Sequence, residues 1–282
     1  VQQETALDRI VDRIETPRNL GPNEQVQAKR SILNGPMERL SPFLRLSEDW
    51  FAAPGGFETH PHRGMQTVTL VLDGALHHRD HTGADGVLRA GDVQWMTAGR
   101  GVLHSEMPFE RQLAHTLQLW LNLPAAAKMV PARYVDQPLA SVPVRRLPGA
   151  EVRVYAGASG EVSHPHGSHW PMMLLDIKVE AGQRLDQELP AGYRAFAYML
   201  AGAARMGATR TPVAAPQVAW FEPTAAGGTD MIAIDAEQPF RCLLFAGPPM
   251  DEPIVAYGPF VMNTVEEIQQ AIVDYQTDRL TA

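Results

Sequence analysis

One block of this chain occurs twice in altered form, and that repetition constrains the fold more than any other feature. With Gly202 laid on Gly74, QELPAGYRAFAYMLAGA follows ETHPHRGMQTVTLVLDGA; with Trp220 laid on Trp95, PQVAWFEP follows GDVQWMTA. The repeated text is β in character. Thr67 to Leu72 is rich in β-branched residues and stops at Asp73-Gly74, while Thr82 to Gly86 and Thr97 to Gly101 are glycine-bearing turns. Short alternating segments with turn signals roughly every 8 to 12 residues predict an all-β barrel or sandwich. A chain of 282 residues has room for two such domains.

Proline and charge thicken between Pro124 and Pro148, which marks the connection. The expected division is a helical extension over residues 1–24, a first β domain over 25–135 and a second over 136–282 that ends in a helix. Ala6, Leu7, Ile10, Val11 and Ile14 recur at helical spacing before Pro17, which predicts a short N-terminal helix. Near the other end Thr264 is placed to cap a helix, with Glu267 at the capping-box position and Val265, Ile268, Ala271, Ile272 and Tyr275 at helical spacing.

The net charge of −8 argues against a broad nucleic-acid surface or binding to anionic membranes. Cys242 is the only cysteine and lies in an apolar run, so no disulfide within the chain is available. No stretch approaches the length of apolar text that spans a membrane, and VQQETALDRI does not read as a signal peptide; the expected location is cytoplasmic.

The first copy carries what the second lacks. His60-Pro61-His62 and His104-Ser105-Glu106 each place two metal-ligating side chains at i and i+2, which on a strand point to one face. If both strands line a common cavity, three imidazoles and one carboxylate converge: His60, His62, His104 and Glu106. HxH alone is weak evidence, since two core or loop histidines read the same way. A second clip on another predicted strand, after a glycine turn, gives it weight. Imidazole and carboxylate suit divalent iron, manganese, nickel, copper or zinc, and the absence of thiolate disfavours a closed structural zinc. Four protein ligands on a six-coordinate ion leave two positions open, which points to catalysis. By the overlays the same positions in the second copy are Glu188, Pro190, Thr229 and Met231, so one metal site per chain is expected.

The remaining histidines are expected elsewhere: His77, His78 and His81 on a solvated hairpin, His115 on a strand, and His164, His166 and His169 in a loop. Arg63 is expected to pair structurally, and Gln66 can face into the site or away from it. Trp95 and Trp220 read as core residues at equivalent positions.

APGGFETHPHRG, GDVQWMTAGRGVLHSEMP, LQLWLNLPAAAKMVPARY and YGPFVMNT together resemble the pirin family of the cupin superfamily over nearly the whole chain after Gln25. The chain departs from it at Gln66, where pirins often have glutamate, and in its N-terminal extension. The resemblance implies a bicupin of two β-barrel (jelly-roll) domains. It also implies iron(II) in the first of them, held by His60, His62, His104 and Glu106. Site chemistry similar to that of quercetin 2,3-dioxygenases further implies a dioxygenase. A flavonol or other aromatic enolic substrate would bind with dioxygen, Glu106 would accept the proton of the 3-hydroxyl, and the ring would open with loss of carbon monoxide. The competing expectation is a non-enzymatic, iron-dependent redox-sensing regulator that binds a protein partner.

Overall fold

The computed structural model describes residues 7–165, 167–225 and 227–282. It is built almost entirely of β-strands and falls into two compact units. One unit gathers Arg18–Ser141, Gly167–Trp170 and Met250–Ala282; the other gathers residues up to Pro17 with Val142–His166 and Pro171–Pro249. A single cut at residue 135 therefore does not separate them, because each end of the chain folds with the half that is remote in sequence.

The unit carrying both clips is two facing antiparallel sheets. Its seven-stranded sheet has the order Arg133–Gln137, Val93–Thr97, Met65–Asp73, Ala114–Asn122, Phe43–Phe51, Ala28–Ser31, Arg18–Asn19. Its four-stranded sheet has the order Phe57–His62, Val102–Pro108, Ala75–Asp80, Asp85–Arg89. Side chains alternate between the faces of each strand, so one set of every strand is turned into the space between the sheets. Val26, Phe51, Val71, Leu76, Leu88 and Ala114, with Phe57 against them, form an apolar cluster within this unit. The C-terminal helix, Val265–Gln276, belongs to the same unit. Thr264 caps it, its hydroxyl accepting from the Glu267 N–H while the Glu267 carboxylate accepts from the Thr264 N–H. Ile268 and Ala271 bury against Phe260, Met262 and Leu280, with Leu103 packed alongside. Arg63 ties this tail down: it donates to Asp274 at 2.7 Å, to the Leu280 carbonyl at 3.2 Å and to the Arg100 carbonyl. Arg63 is thus a structural cation, as expected.

The other unit has an eight-stranded and a five-stranded sheet. The duplication read in the sequence is visible in its register. Trp95 pairs with Val68 and Trp220 with Phe196, the residue that the Gly202-on-Gly74 overlay places on Val68. Gly74 and Gly202 both have φ of 74°. A Cβ at Gly74 would lie 1.8 Å from the Leu113 carbonyl oxygen, and at Gly202 2.0 Å from that of Pro239. Both turns need a left-handed residue with no side chain.

Two expectations change. The N-terminal helix is not formed over the described residues: Leu7–Asp8 and Val11–Glu15 are strands, and residues 1–6 lie outside the description. Leu7, Ile10 and Ile14 are 63%, 43% and 37% exposed, so the helical spacing buries no apolar stripe. So short a segment is a marginal helix by itself. It gains a backbone ladder instead, Val11–Glu15 pairing with Val218–Phe221 and Leu7–Asp8 with Thr229–Ala236. Arg9 pins it, buried, with Nε 2.8 Å from Asp230 and further bonds to the Pro190 and Tyr193 carbonyls.

The second correction concerns the ligand overlay. Glu188, Pro190, Thr229 and Met231 are on the outward face, all at least partly exposed. The inward positions on those strands are Leu185, Gln187 and Leu189, and Ile232 and Ile234, all buried. The overlay is therefore one residue out of phase, which on a strand exchanges the faces. Leu185, Leu189, Ile232 and Ile234 pack in one apolar core with Val152, Leu175 and Leu244. Buried Cys242 belongs to that core, its thiol pKa pushed up by desolvation. Among the described residues no helix is long and apolar enough to cross a membrane.

Replacing Gly74 or Gly202 by alanine imposes both a left-handed side chain and a clash with backbone. Each substitution is expected to cost upwards of about 1–3 kcal/mol. Denaturant titration should show losses of similar size at the two positions.

Candidate metal centre

The backbone ladder sets the site. Phe57–His62 runs antiparallel to Val102–Pro108 with His104 directly opposite His60 and Val102 opposite His62; a register shift follows between His104 and Glu106. Side chains opposite one another share a face, so the clips converge. Ring centroids are 4.3 Å apart for His60 and His104, 5.0 Å for His60 and His62, and 5.1 Å for His62 and His104. Each ring offers a nitrogen, and these three atoms lie within 4.8 Å of one another.

These imidazoles are held with their lone pairs unused. His62 and His104 are buried, and among the described residues neither nitrogen of His62 nor Nε2 of His104 has a hydrogen-bond partner. An unpaired buried acceptor costs free energy that a metal ion would recover. Burial pushes the His62 pKa down to about 3, His60 adding to the effect and the Pro259 carbonyl opposing it. Burial, with the neighbouring histidines, likewise puts His104 well below its ordinary value. Both stay neutral at physiological pH, the state a metal ligand requires. The backbone of Glu58 faces Nδ1 of His60 at 2.7 Å, which leaves Nε2 for an ion.

His78 is the contributor that sequence reading placed wrongly. It is not on a solvated surface: it is 1% exposed, and its Nε2 lies 3.2 Å from Nδ1 of His104. The cause is register, because Ala75–Asp80 is the other neighbour of Val102–Pro108 and puts His78 opposite Glu106 and Asp80 opposite His104. Tyr134 packs on the His78 ring at 4.7 Å, its own pKa raised by burial and by Asp80. With His78 accepting, Nδ1 of His104 carries the proton and Nε2 is the free ligand atom. The signal was in the text: His78 and Asp80 are i, i+2 and share a face. His77, by contrast, is partly exposed and meets Asp85 at 2.6 Å.

Glu106 is buried but stands outside the close group of three. Gln118 Nε2 donates to both its oxygens at 2.9 and 3.0 Å, and Thr69 Oγ1 lies 3.4 Å from one of them. Gln118 sits opposite both Ser47 and Thr69 in the seven-stranded sheet, so the wall facing the histidines is polar. Trp120, two residues on, meets the His62 ring edge-on at 5.3 Å. Glu106, His60, His62, Gln118 and Trp120 all line one cavity of about 160 Å³.

Gln66 faces away from the histidines. It is fully buried, donates to Thr97 Oγ1 and the Gly167 carbonyl, and accepts from Ser168 Oγ and the His169 N–H. It therefore anchors the Gly167–Trp170 segment. His115 lies in its strand, stacked on Trp50 and paired with Glu48. His166 lies outside the described residues.

Two cupin-type β domains, one packed solid and one opened around three inward histidines, define a bicupin with a candidate metal site in its N-terminal half. Residues 26–121 match the Pirin family and residues 174–281 the Pirin C-terminal cupin domain. The chain is 41% identical to Pirin-like protein 2 of Arabidopsis thaliana over 254 residues, 88% of this chain and 78% of that protein. It is 39% identical to human Pirin, covering 89% of this chain and 86% of that one. The crystal structure of quercetin 2,3-dioxygenase from Acinetobacter baumannii superimposes with a TM-score of 0.88 at 30% identity, covering 98% of this chain and 99% of that one. The chain belongs to the pirin family.

Removing the group that orients His104 should weaken metal retention without touching a ligand. His78→Ala is expected to lower divalent-ion affinity about 10- to 100-fold by calorimetry, with His78→Gln, which keeps an acceptor, closer to wild type. A second outcome concerns pH. Folded His62 refuses protons that the unfolded chain accepts below pH 6.5, so stability should fall as pH drops from there to about 3. Acid titration of metal-free protein should show this slope, reduced in His62→Gln.

Proposed function

We propose that the protein is a metal-dependent dioxygenase of the quercetinase type, acting on an enolic substrate at a centre formed by His60, His62, His104 and Glu106. The observation that carries this reading is the set of converging imidazole nitrogens with no other partner, beside a carboxylate that lines the same cavity as His60 and His62. Its likeness to the Acinetobacter quercetin 2,3-dioxygenase supports the choice of reaction. The donor set suits iron(II), with manganese, nickel, copper and zinc as chemically compatible alternatives.

A divalent ion here supplies Lewis-acid activation of an enolic oxygen and a route for electrons to dioxygen. The protein supplies the rest. Three imidazoles, fixed by a β ladder and by the Glu58 carbonyl and His78, would hold the ion. Glu106 is the group in reach to take the enolic proton onto a carboxylate oxygen, and the Gln118 amide and Thr69 hydroxyl fix its orientation. Phe51, Phe57, Leu76 and Trp120 line the cavity and keep water from the reacting atoms.

Oxygen uptake by the iron-loaded protein, followed with a panel of flavonols and smaller enols, tests this. Turnover should fall at least about 100-fold in His62→Ala, which loses metal, and in Glu106→Gln, which retains it. Unchanged turnover in both variants overturns the assignment. A loaded protein that consumes no oxygen with any enol, yet captures a protein partner according to the oxidation state of its iron, would support the regulator instead.

A further inference from the structure

The cavity lined by His60 and His62 has a size and a cation that the flavonol reading does not use. Its volume is about 160 Å³. A dry cavity of about 150 Å³ accepts benzene, whereas sites for drug-sized molecules run from roughly 300 to 1,000 Å³. One six-membered ring fits; a flavonol has three.

Two cations line this space. Lys29 is neutralised, its Nζ 2.6 Å from Asp49, whose other oxygen accepts from Ser47 Oγ at 3.0 Å. Arg45 has no such partner: among the described residues no carboxylate lies within ion-pair distance of it. Arginine stays charged, so a half-buried guanidinium without a counter-ion attracts an anion. Its position follows from register. Arg45 pairs directly across from Trp120, and its guanidinium lies 5.4 Å from the Trp120 ring centroid. The same indole meets the His62 ring edge-on at 5.3 Å. His62 and the cation thus both touch one indole and both line this cavity.

From this geometry we infer that the site selects a monocyclic hydroxy-aromatic or enolic carboxylate, its hydroxyl oxygen at the histidines and its carboxylate on Arg45. This specificity rests on the proposed reading of the histidines as the metal-binding end, and not on any particular oxidation of the ligand. Trp120 supplies the flat wall against which the ring lies, and Arg45 is the specificity-determining residue. A neutral phenol of equal size would leave the guanidinium facing an apolar group.

Calorimetric titration of the metal-loaded protein, kept free of dioxygen, decides the matter. The probes are 4-hydroxybenzoate, 4-methylphenol, which lacks the carboxylate, and quercetin. Wild type should bind 4-hydroxybenzoate at least about tenfold more tightly than either of the others. Arg45→Met should abolish that preference while leaving 4-methylphenol within about twofold of wild type. Arg45→Gln serves as a second variant, and an unchanged melting temperature and metal content identify a folded, loaded protein. The proposal is overturned if the preference survives loss of Arg45, if quercetin binds more tightly than 4-hydroxybenzoate, or if none of the probes binds. Oxygen uptake separates the two claims. Charge-selective binding with no turnover of any enol overturns the dioxygenase and leaves the carboxylate site standing. Flavonol turnover that is indifferent to Arg45 does the reverse.

Discussion

Everything distinctive about this molecule depends on one pair of hydrogen-bonded strands. Phe57–His62 and Val102–Pro108 lie antiparallel with His60 facing His104, and that pairing assembles the three imidazoles before any side chain has to choose a rotamer. The next strand, Ala75–Asp80, adds His78 behind His104 by the same ladder. A slip of one residue would turn every one of these groups to the other face. The centre is therefore a property of sheet register, and its rigidity comes from backbone hydrogen bonds that the fold needs in any case.

The two halves show what such a centre displaces. In the second unit the space between the sheets is filled by Leu185, Leu189, Ile232 and Ile234 among others, an ordinary apolar core. In the first, histidines, Glu106, Gln118 and Thr69 occupy comparable inward positions, and each buried polar group lowers stability unless it is satisfied. Gln118 and Thr69 satisfy Glu106; among the described residues nothing bonds to either nitrogen of His62 or to Nε2 of His104. Apolar burial in this unit gathers under the helix at Ile268 and Ala271 and in the cluster around Phe51 and Val71, whose Phe51, Phe57 and Leu76 also form the apolar wall of the site cavity. The duplicated architecture has kept one copy for packing and opened the other for chemistry.

Much of this was readable from residue order because strands have a period of two. The i, i+2 clips, the glycine turns at Gly74 and Gly202 and the capping box at Thr264 are local signals, and local geometry fulfils them. What escaped depends on distant partners. Nothing near His78 says that its neighbour across the sheet is Glu106, and nothing near Arg45 says that it faces Trp120. The N-terminal segment had helical spacing, but an open edge at Val218–Phe221 offered it a ladder. The ligand overlay failed for a related reason: sequence alignment tolerates a shift of one residue, and a β-strand does not.

The way the chain ends are exchanged has a consequence for how the protein is made. Arg63 is synthesised early, yet two of its partners are Asp274 and the Leu280 carbonyl, at the far end of the chain. Domains generally fold as they emerge from the ribosome. In this chain the barrel that carries both histidine clips lacks the helix Val265–Gln276 until that late segment has emerged. The second barrel needs only the N-terminal strand, which by then has long been available. All strands of the packed barrel are thus synthesised before the last helix of the barrel that carries the candidate metal site.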